Sequence, residues 1–172
     1  SLNVPAVKIQ LQVGNEYSAN LIKKFGITSL VTEGNTSDMN PAALALGGLT
    51  KGVSPLEMAE AYAVFPNGGE RNTPTSYTKV VNRDGKTILT GKAKSYKVID
   101  EGVAWIMTDL LKSVVSNGIG YSARLSGVSA GGKTGTTSDS YDVWFDGFTP
   151  KYAGAIWIGS DVNIALSGGS YM

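Results

Sequence analysis

Two consecutive runs decide how this chain folds: Ala130-Gly-Gly-Lys-Thr-Gly-Thr-Thr137 and Asp142-Val-Trp-Phe-Asp-Gly-Phe-Thr-Pro150. The second run contains a strand-like stretch, Val143 to Phe148, and a further one follows from Tyr152 to Gly159. Apolar, β-branched and aromatic residues dominate both stretches, and a Thr-Pro-Lys turn separates them. The sequence therefore predicts a sheet near the C-terminal end of the chain.

Upstream of this sheet, capping and periodicity predict helices. In the first segment, Pro5 and Gly14 favour a helix, although the period-two alternation from Ala6 to Val13 is also typical of a strand. The remaining predicted helices are Glu16 to Phe25, Pro55 to Phe65 behind a Ser54-Glu57 capping box, and Asp100 to Val115. Helices that precede antiparallel strands predict an α+β domain.

A β-hairpin is predicted between the third and fourth helices. Tyr77 to Asn82 and Lys86 to Leu89 flank an Arg-Asp-Gly turn. The basic residues from Lys79 to Lys97 are interpreted as a solvated face of this hairpin. The last helix carries a continuous apolar stripe, which we expect in the core: Val103, Ile106, Met107, Leu110, Leu111 and Val114.

Composition excludes several kinds of chemistry. The 172 residues include 15 basic and 14 acidic residues, a net charge of +1, and no long basic run, which argues against a nucleic-acid partner. Cysteine and histidine are absent from the sequence, so Ser-His-Asp and Cys-His sites and the usual zinc sites are excluded. An enzyme of this composition would use Lys, Asp, Glu or Tyr as its base. No metal and no cofactor are predicted.

The segment around Lys133 matches two incompatible patterns. Gly127 to Thr134 fits the phosphate-binding string Gly-x-x-x-x-Gly-Lys-Thr. That loop requires a buried strand before it and a helix beginning at its Lys-Thr. Tyr121 to Ser126 is not an apolar strand, so a nucleotide site is the weaker alternative.

The other pattern is Lys133-Thr134-Gly135, which is similar to the Lys-Thr-Gly of penicillin-binding proteins and serine β-lactamases. On a sheet edge, the lysine supplies positive charge for a substrate carboxylate, and Thr134 and Thr136 supply hydroxyl groups. Gly135 leaves room for an extended peptide, and a nearby backbone N–H can serve as an oxyanion donor, worth about 3 kcal/mol. A Gly/Thr-rich turn with an exposed lysine is the alternative if this motif stands alone.

Other motifs accompany it in order. Ser1-Leu2-Asn3 fits a Ser-x-Asn pattern, as Ser18-Ala19-Asn20 also does, and Val53-Ser-Pro-Leu-Glu-Met-Ala-Glu-Ala-Tyr-Ala-Val-Phe-Pro-Asn-Gly-Gly69 follows. With these segments, nearly the whole chain resembles the transpeptidase domain of class A penicillin-binding proteins. The resemblance implies a transpeptidase fold in which an antiparallel sheet packs with helices. Residues 1–172 would form the C-terminal part of that domain, incomplete at both ends.

The family's nucleophile belongs to a Ser-x-x-Lys motif that precedes the Ser-x-Asn. The only such string here, Ser76-Tyr-Thr-Lys79, follows it and lies on the predicted hairpin, so it is rejected. The resemblance therefore implies a chain that lacks its nucleophile and is inactive alone. A non-catalytic peptidoglycan-binding module is the remaining alternative.

The resemblance also implies roles for individual residues. Ser1 would relay a proton, Asn3 would hold the substrate amide, and Lys133 would lower the pKa of the upstream catalytic lysine. Thr134 and Thr136 would bind the substrate carboxylate beside Gly135, and the Thr136 N–H would complete the oxyanion hole. The implied partners are peptidoglycan stem peptides, β-lactams, the N-terminal part of the domain and a glycosyltransferase domain. The implied location is the extracytoplasmic face of a bacterial membrane, in a membrane-anchored parent protein.

Overall fold

A computed structural model describes residues 2–162 and 164–166, so Ser1 lies outside the described residues. Helices occupy the first part of the chain and the three-stranded sheet lies near its end, as predicted. The helices are α1 (Asn3–Val13), α2 (Asn15–Lys24), α3 (Pro41–Leu46), α4 (Pro55–Ala63) and α5 (Glu101–Asn117). The strands are β1 (Glu70–Asn72), β2 (Lys79–Val81), β3 (Thr87–Thr90), β4 (Ser95–Lys97), β5 (Gly131–Thr136), β6 (Asp142–Phe148) and β7 (Ala153–Gly159).

The first segment is helical, which confirms the helix favoured by Pro5 and Gly14 over the alternative strand. Alternate residues Ile9, Leu11 and Val13 are exposed, whereas Gln10 is buried, so the period-two pattern does not mark a buried strand face. Gly14 separates α1 from α2 with a φ of 88°, a conformation that glycine adopts without strain. The Ser18 hydroxyl donates to Gln10 Oε1 at 2.8 Å and joins the two helices.

Helix α3 was not predicted from the sequence. Its signal is short: the Asn40 side chain accepts a hydrogen bond from Ala43 N at 2.8 Å, and Pro41 occupies the first turn. The loop before it is fastened by Asp38, which is buried and accepts hydrogen bonds from Val31 N at 2.8 Å and Thr50 N at 2.7 Å. This carboxylate joins two stretches of loop that have little regular structure.

Helix α4 begins with the predicted capping box. Ser54 Oγ accepts from Glu57 N, and the Glu57 carboxylate accepts from Ser54 N at 2.9 Å. The same carboxylate accepts from Thr28 N and from Thr28 Oγ1, both at 2.8 Å. The helix packs against β6 and β7, so this cap fixes the helix that supports the sheet.

The three-stranded sheet is antiparallel in the order β5-β6-β7. Lys133 lies opposite Asp146 and Gly135 lies opposite Trp144, which in turn lies opposite Trp157. Within the described part of the chain, β5 and β7 each pair on one side only. Both outer edges of this sheet are therefore available to further strands.

Helix α5 corrects the predicted core. The side chains that are buried are Ala104, Leu111 and Val115, on the face that packs against β5. Val103, Ile106 and Leu110, which were expected in the core, are exposed. The periodicity was identified correctly, but in the described residues only one face of the helix is covered, and the wider apolar stripe extends beyond it.

The predicted hairpin is confirmed as β2 and β3, and it stands on a second antiparallel pair formed by β1 and β4. At its base, the Arg71 guanidinium lies 2.9 Å from the Glu60 carboxylate. Arg71 also donates to Lys24 O at 3.0 Å and stacks over the ring of Tyr96. One arginine thus fastens the base of the hairpin to α2 and α4.

Candidate functional site

Strand β5 carries the Lys-Thr-Gly motif and begins with two buried glycines. A Cβ atom at Gly131 would lie 2.7 Å from the Phe148 ring and 3.2 Å from the backbone nitrogen of Lys112 in α5. A Cβ atom at Gly132 would lie 2.7 Å from the carbonyl oxygen of Asp146. The glycine pair therefore allows α5 and β6 to approach the strand closely, which fixes the position of the following lysine.

Lys133 is half-buried at the centre of β5. Its Nζ donates to the carbonyl oxygen of Thr134 at 2.8 Å and lies 3.5 Å from Thr134 Oγ1. The ammonium group therefore lies beside the hydroxyl of the next motif residue. Burial lowers the pKa of Lys133, because a desolvated ammonium is less stable than the neutral amine.

The backbone of Thr136 faces the outer edge of β5. Thr137 N donates to Asp142 O at 3.1 Å, so Thr137 directs its backbone groups towards β6. Because these directions alternate along an antiparallel strand, the N–H and C=O groups of Thr136 and Thr134 point away from β6. The Thr134 carbonyl that binds Lys133 agrees with this alternation. This edge presents the N–H groups of Thr134 and Thr136 together with their two hydroxyls.

The turn after β5 is fixed by Asp142. Its backbone N–H donates to Thr137 Oγ1 at 2.8 Å, and its carboxylate accepts from Trp157 Nε1 at 2.8 Å. The rings of Trp157 and Trp144 lie 6.3 Å apart. Trp144 is half-buried and borders Gly135, so an aromatic pair adjoins the motif on the face that also carries Lys133.

Asp146 is a buried polar residue near the site that was not predicted from the sequence. It is 5% exposed, and its Oδ1 atom has no hydrogen-bond partner. Burial raises the pKa of its carboxyl group to about 6. Burial and then the charge of Asp146 raise the pKa of Tyr62 in α4, the helix that packs against β6. In the sequence, the only signal for its burial is that Asp146 lies among apolar residues of a predicted strand, at a position that faces the core.

The other predicted site residues, Ser1 and Asn3, belong to the N-terminal end of the chain and not to β5. Asn3 is exposed at the first position of α1, whose extensive contacts are with α3 and α2. Ser1 lies outside the described residues, so its predicted role is not described by the structure. The competing motif Ser18-Ala19-Asn20 begins with a buried serine that is committed to Gln10.

The phosphate-loop alternative is wrong in its structural requirement. Lys133 and Thr134 lie in the middle of a strand, and a helix does not begin there. The rejected Ser76-Lys79 pair lies on the exposed hairpin region rather than at a helix start. Among residues 2–162 and 164–166, no group of three or more acidic side chains is arranged to hold a metal ion. The same stretch contains no helix with the length and apolarity needed to cross a membrane.

Comparison with known proteins agrees with this geometry. The family described as penicillin binding protein transpeptidase domain matches residues 1–164. Penicillin-binding protein 1A of Clostridium botulinum is 41% identical over 98% of this chain, and that of Clostridium acetobutylicum is 42% identical over 99%. In each case the chain spans 20% of the relative's length.

Solved structures show the same fold. A crystal structure of penicillin-binding protein 1A from Haemophilus influenzae superposes with a TM-score of 0.75 at 24% identity, covering 94% of this chain and 29% of that one. A penicillin-binding protein of Mycobacterium tuberculosis superposes with a TM-score of 0.77 at 24% identity, covering 96% of this chain and 48% of that one. The helices and antiparallel sheet described above thus correspond to part of a larger fold.

Proposed function

The chain belongs to the transpeptidase family of class A penicillin-binding proteins, and from that premise we propose that it forms the C-terminal part of a peptidoglycan D,D-transpeptidase domain. The observation that carries the proposal is the outer edge of β5. There Lys133, the hydroxyl of Thr134 and the outward N–H of Thr136 adjoin one another. This edge has the charge and the hydrogen-bonding groups that a peptide ending in a carboxylate needs.

The proposed reaction is acyl transfer through a serine. A serine outside this chain attacks the carbonyl carbon of the penultimate D-Ala of a stem peptide, and the C–N bond to the terminal D-Ala breaks. The proton of the serine hydroxyl passes to the leaving nitrogen, so D-Ala departs with a neutral amine. An acyl-serine ester remains. An amine of a neighbouring stem then attacks the ester carbonyl and forms the new C–N bond of the cross-link, while the C–O bond to the serine breaks and the proton of the amine returns to the serine oxygen. β-Lactams would stop this sequence at the ester.

The residues of β5 would act on charge and position. The Thr136 N–H points outward and would stabilise the oxyanion, together with the N–H of the nucleophile. The hydroxyls of Thr134 and Thr136 would bind the substrate carboxylate, and Gly135 would let the peptide approach the strand. The Lys133 ammonium would lower the pKa of the upstream lysine, which could then accept the serine proton without any histidine.

Ser1 and Asn3 would contribute from the other side of the cleft. We assign Ser1 to proton relay between the lysines and the leaving amine, and Asn3 to the substrate amide. Both assignments rest on their positions in the family motif. The exposed start of α1 leaves Asn3 accessible to a substrate.

The rest of the protein would complete the fold. The chain spans about a fifth of the length of the relatives it matches. An upstream part of the same domain would supply the nucleophile and would cover the outer edge of β7, where Ile156 and Ile158 are exposed. A glycosyltransferase domain and a membrane anchor in the same polypeptide would place the site on the extracytoplasmic face of a bacterial membrane. Without the upstream part, this chain would be inactive.

The proposal is tested with a protein that contains the complete transpeptidase domain. It is incubated with a fluorescent penicillin, and the rate of covalent labelling is measured by gel fluorescence and intact mass. We expect one drug mass per protein on an upstream serine. Lys133→Ala should slow labelling by about 100-fold or more, since the upstream lysine would lose the neighbouring charge that lets it act as the base, and general-base catalysis contributes on that scale.

The matched control is Lys151→Ala, which removes an exposed lysine from the turn between β6 and β7 in the same sheet. This variant should label at the rate of the unmodified protein. A folded protein that forms no adduct would leave only a reversible peptidoglycan-binding role. Equal rates for the two lysine variants would remove Lys133 from the mechanism.

A further inference from the structure

The β2–β3 hairpin concentrates positive charge on a surface separate from the site. Residues 76–94, here named the basic arm, contain five basic residues and one acidic residue, whereas the other 153 residues contain ten basic and thirteen acidic ones. The basic residues are Lys79, Arg83, Lys86, Lys92 and Lys94. In the described chain none of these five side chains forms an ion pair. The arm is therefore an exposed cationic surface on a protein that is otherwise slightly acidic.

The basic arm also stands apart from the body of the fold. Every residue of β2 and β3 is exposed, and among the described strands each of the two pairs only with the other. Its base leads into the first turn of α5, whereas the contact of α5 with Gly131 lies at Lys112. Eleven residues of helix separate these points, about 16 Å along the axis. The arm and the start of β5 are therefore distinct surfaces.

The outer edge of β3 has unused backbone groups. Gly91 N donates to Thr78 O at 3.0 Å, so Gly91 faces β2. By the alternation of an antiparallel strand, the N–H and C=O groups of Thr90 face outward. The regular alternation ends at Leu89, because the pairing register shifts between Val80 and Val81. Two-stranded hairpins are marginally stable in water, and a third strand stabilises them through these groups. The edge of β3 is open to such a strand.

Side chains along the same edge define what that strand would contain. Ile88 is 61% exposed and Leu89 is 52% exposed, and they point to opposite faces of the hairpin. Lys86 and Lys92 flank the two ends of β3. Apolar side chains between two lysines complement a segment in which acidic and apolar residues alternate.

We propose that the basic arm is a docking site for an extended acidic segment of a partner protein, which adds to β3 as a third strand. Backbone hydrogen bonds to Thr90 supply affinity, and carboxylates paired with Lys86 and Lys92 supply specificity. A second copy of this chain does not fit, because two cationic arms repel each other and charged edges oppose self-pairing. A nucleic acid or a lipid surface would use the charge but not the backbone edge.

The test uses the complete protein and a labelled nine-residue peptide of alternating glutamate and valine. Fluorescence anisotropy should show saturable binding that weakens as salt is raised. Replacing Lys86→Glu and Lys92→Glu together should weaken binding at least about tenfold, since two ion pairs become two repulsions. The matched control, Lys51→Glu with Lys151→Glu, changes the net charge equally at exposed sites outside the arm and should change affinity by less than about twofold.

Hydrogen exchange identifies the mode of binding. With peptide bound, the amide of Thr90 should exchange more slowly, and a peptide with N-methylated backbone on one edge should not bind. Absence of binding, equal loss in both double variants, or equal binding of the N-methylated peptide would each overturn the proposal. Slow exchange of the Thr90 amide before peptide is added would also overturn it, because the edge would already be covered. These readouts do not depend on acylation.

Discussion

Strands β5 and β3 both lie at the edge of an antiparallel ladder in the described chain, yet they are built on different supports. Lys133 lies within β5, whereas Lys86 and Lys92 lie just outside β3. Behind β5 lie α5 and β6, close enough that Gly131 and Gly132 are required. Behind β3 lies only β2, and all residues of both strands are exposed. A buried support holds an edge in one geometry and desolvates its lysine, which suits chemistry. An exposed hairpin presents charge on a surface that can adapt to a partner.

The largest expected difference comes from the glycines. Gly132→Ala would place a methyl group 2.7 Å from both Asp146 O and the Phe145 ring, and we expect a loss of about 2 to 3 kcal/mol in the free energy of unfolding. Gly85→Ala in the hairpin turn meets no atom within 4 Å and is opposed only by its φ of 79°, so about 1 kcal/mol is expected. Urea unfolding of both variants measures this. Equal losses of unfolding free energy in the two variants would contradict the difference in packing between the β5 ladder and the β2–β3 hairpin.

The second difference concerns buried and exposed carboxylates. Burial raises the pKa of Asp146 from 3.8 to about 6, so folding is opposed by ionisation fully above pH 6 and not at all well below pH 4. Asp146→Asn should therefore stabilise the protein by about 2 to 3 kcal/mol at pH 8 and leave it unchanged at pH 3. The control, Asp84→Asn at the exposed hairpin turn, should change stability by less than about 0.5 kcal/mol. Thermal unfolding is measured between pH 3 and 8. A stabilisation by Asp146→Asn that does not vary with pH would contradict this prediction, because the Asp146 carboxylate would then have a partner.

The smallest expected effect has the opposite pH dependence. Burial of Glu57 acts to raise its pKa, but hydrogen bonds from Ser54 and Thr28 outweigh it and lower the pKa from 4.5 to about 2. Its stabilisation is complete above pH 4.5 and is lost as the pH falls towards 2. Glu57→Gln should cost about 1 kcal/mol at pH 7, a value reduced by solvent screening, and nothing at pH 2. A loss that persists at pH 2 would assign the effect to packing of α4.

Local patterns in the sequence predicted much of this fold. The capping box at Ser54, the Asp-Gly turn of the hairpin and the strands β6 and β7 depend on neighbouring residues, and the structure confirms each of them. The burial of α5 could not be predicted in the same way. The apolar stripe of α5 shows which of its residues can be buried. Val103 and Leu110 are nevertheless exposed, because β5 covers a face of the helix that is narrower than this stripe.

The candidate site was predicted unevenly for a similar reason. Lys133, Thr134 and Thr136 share one short strand, so the spacing of the motif was sufficient to place them together. The burial of Asp146, whose Oδ1 atom has no hydrogen-bond partner, depends on the register of β5 with β6 and on the packing of α4, which the sequence alone does not specify. The role of Gly131 became clear only from the approach of α5.

The most direct test of the central claim is amide hydrogen exchange of the complete transpeptidase domain before and after reaction with a penicillin. The outer edge of β5 should bind the acyl group, so exchange at Thr136 should slow markedly, while exchange at Thr90 on the edge of β3 should not change. An adduct that leaves Thr136 unaffected, or that protects both edges equally, would contradict the assignment of β5 as the substrate-binding strand.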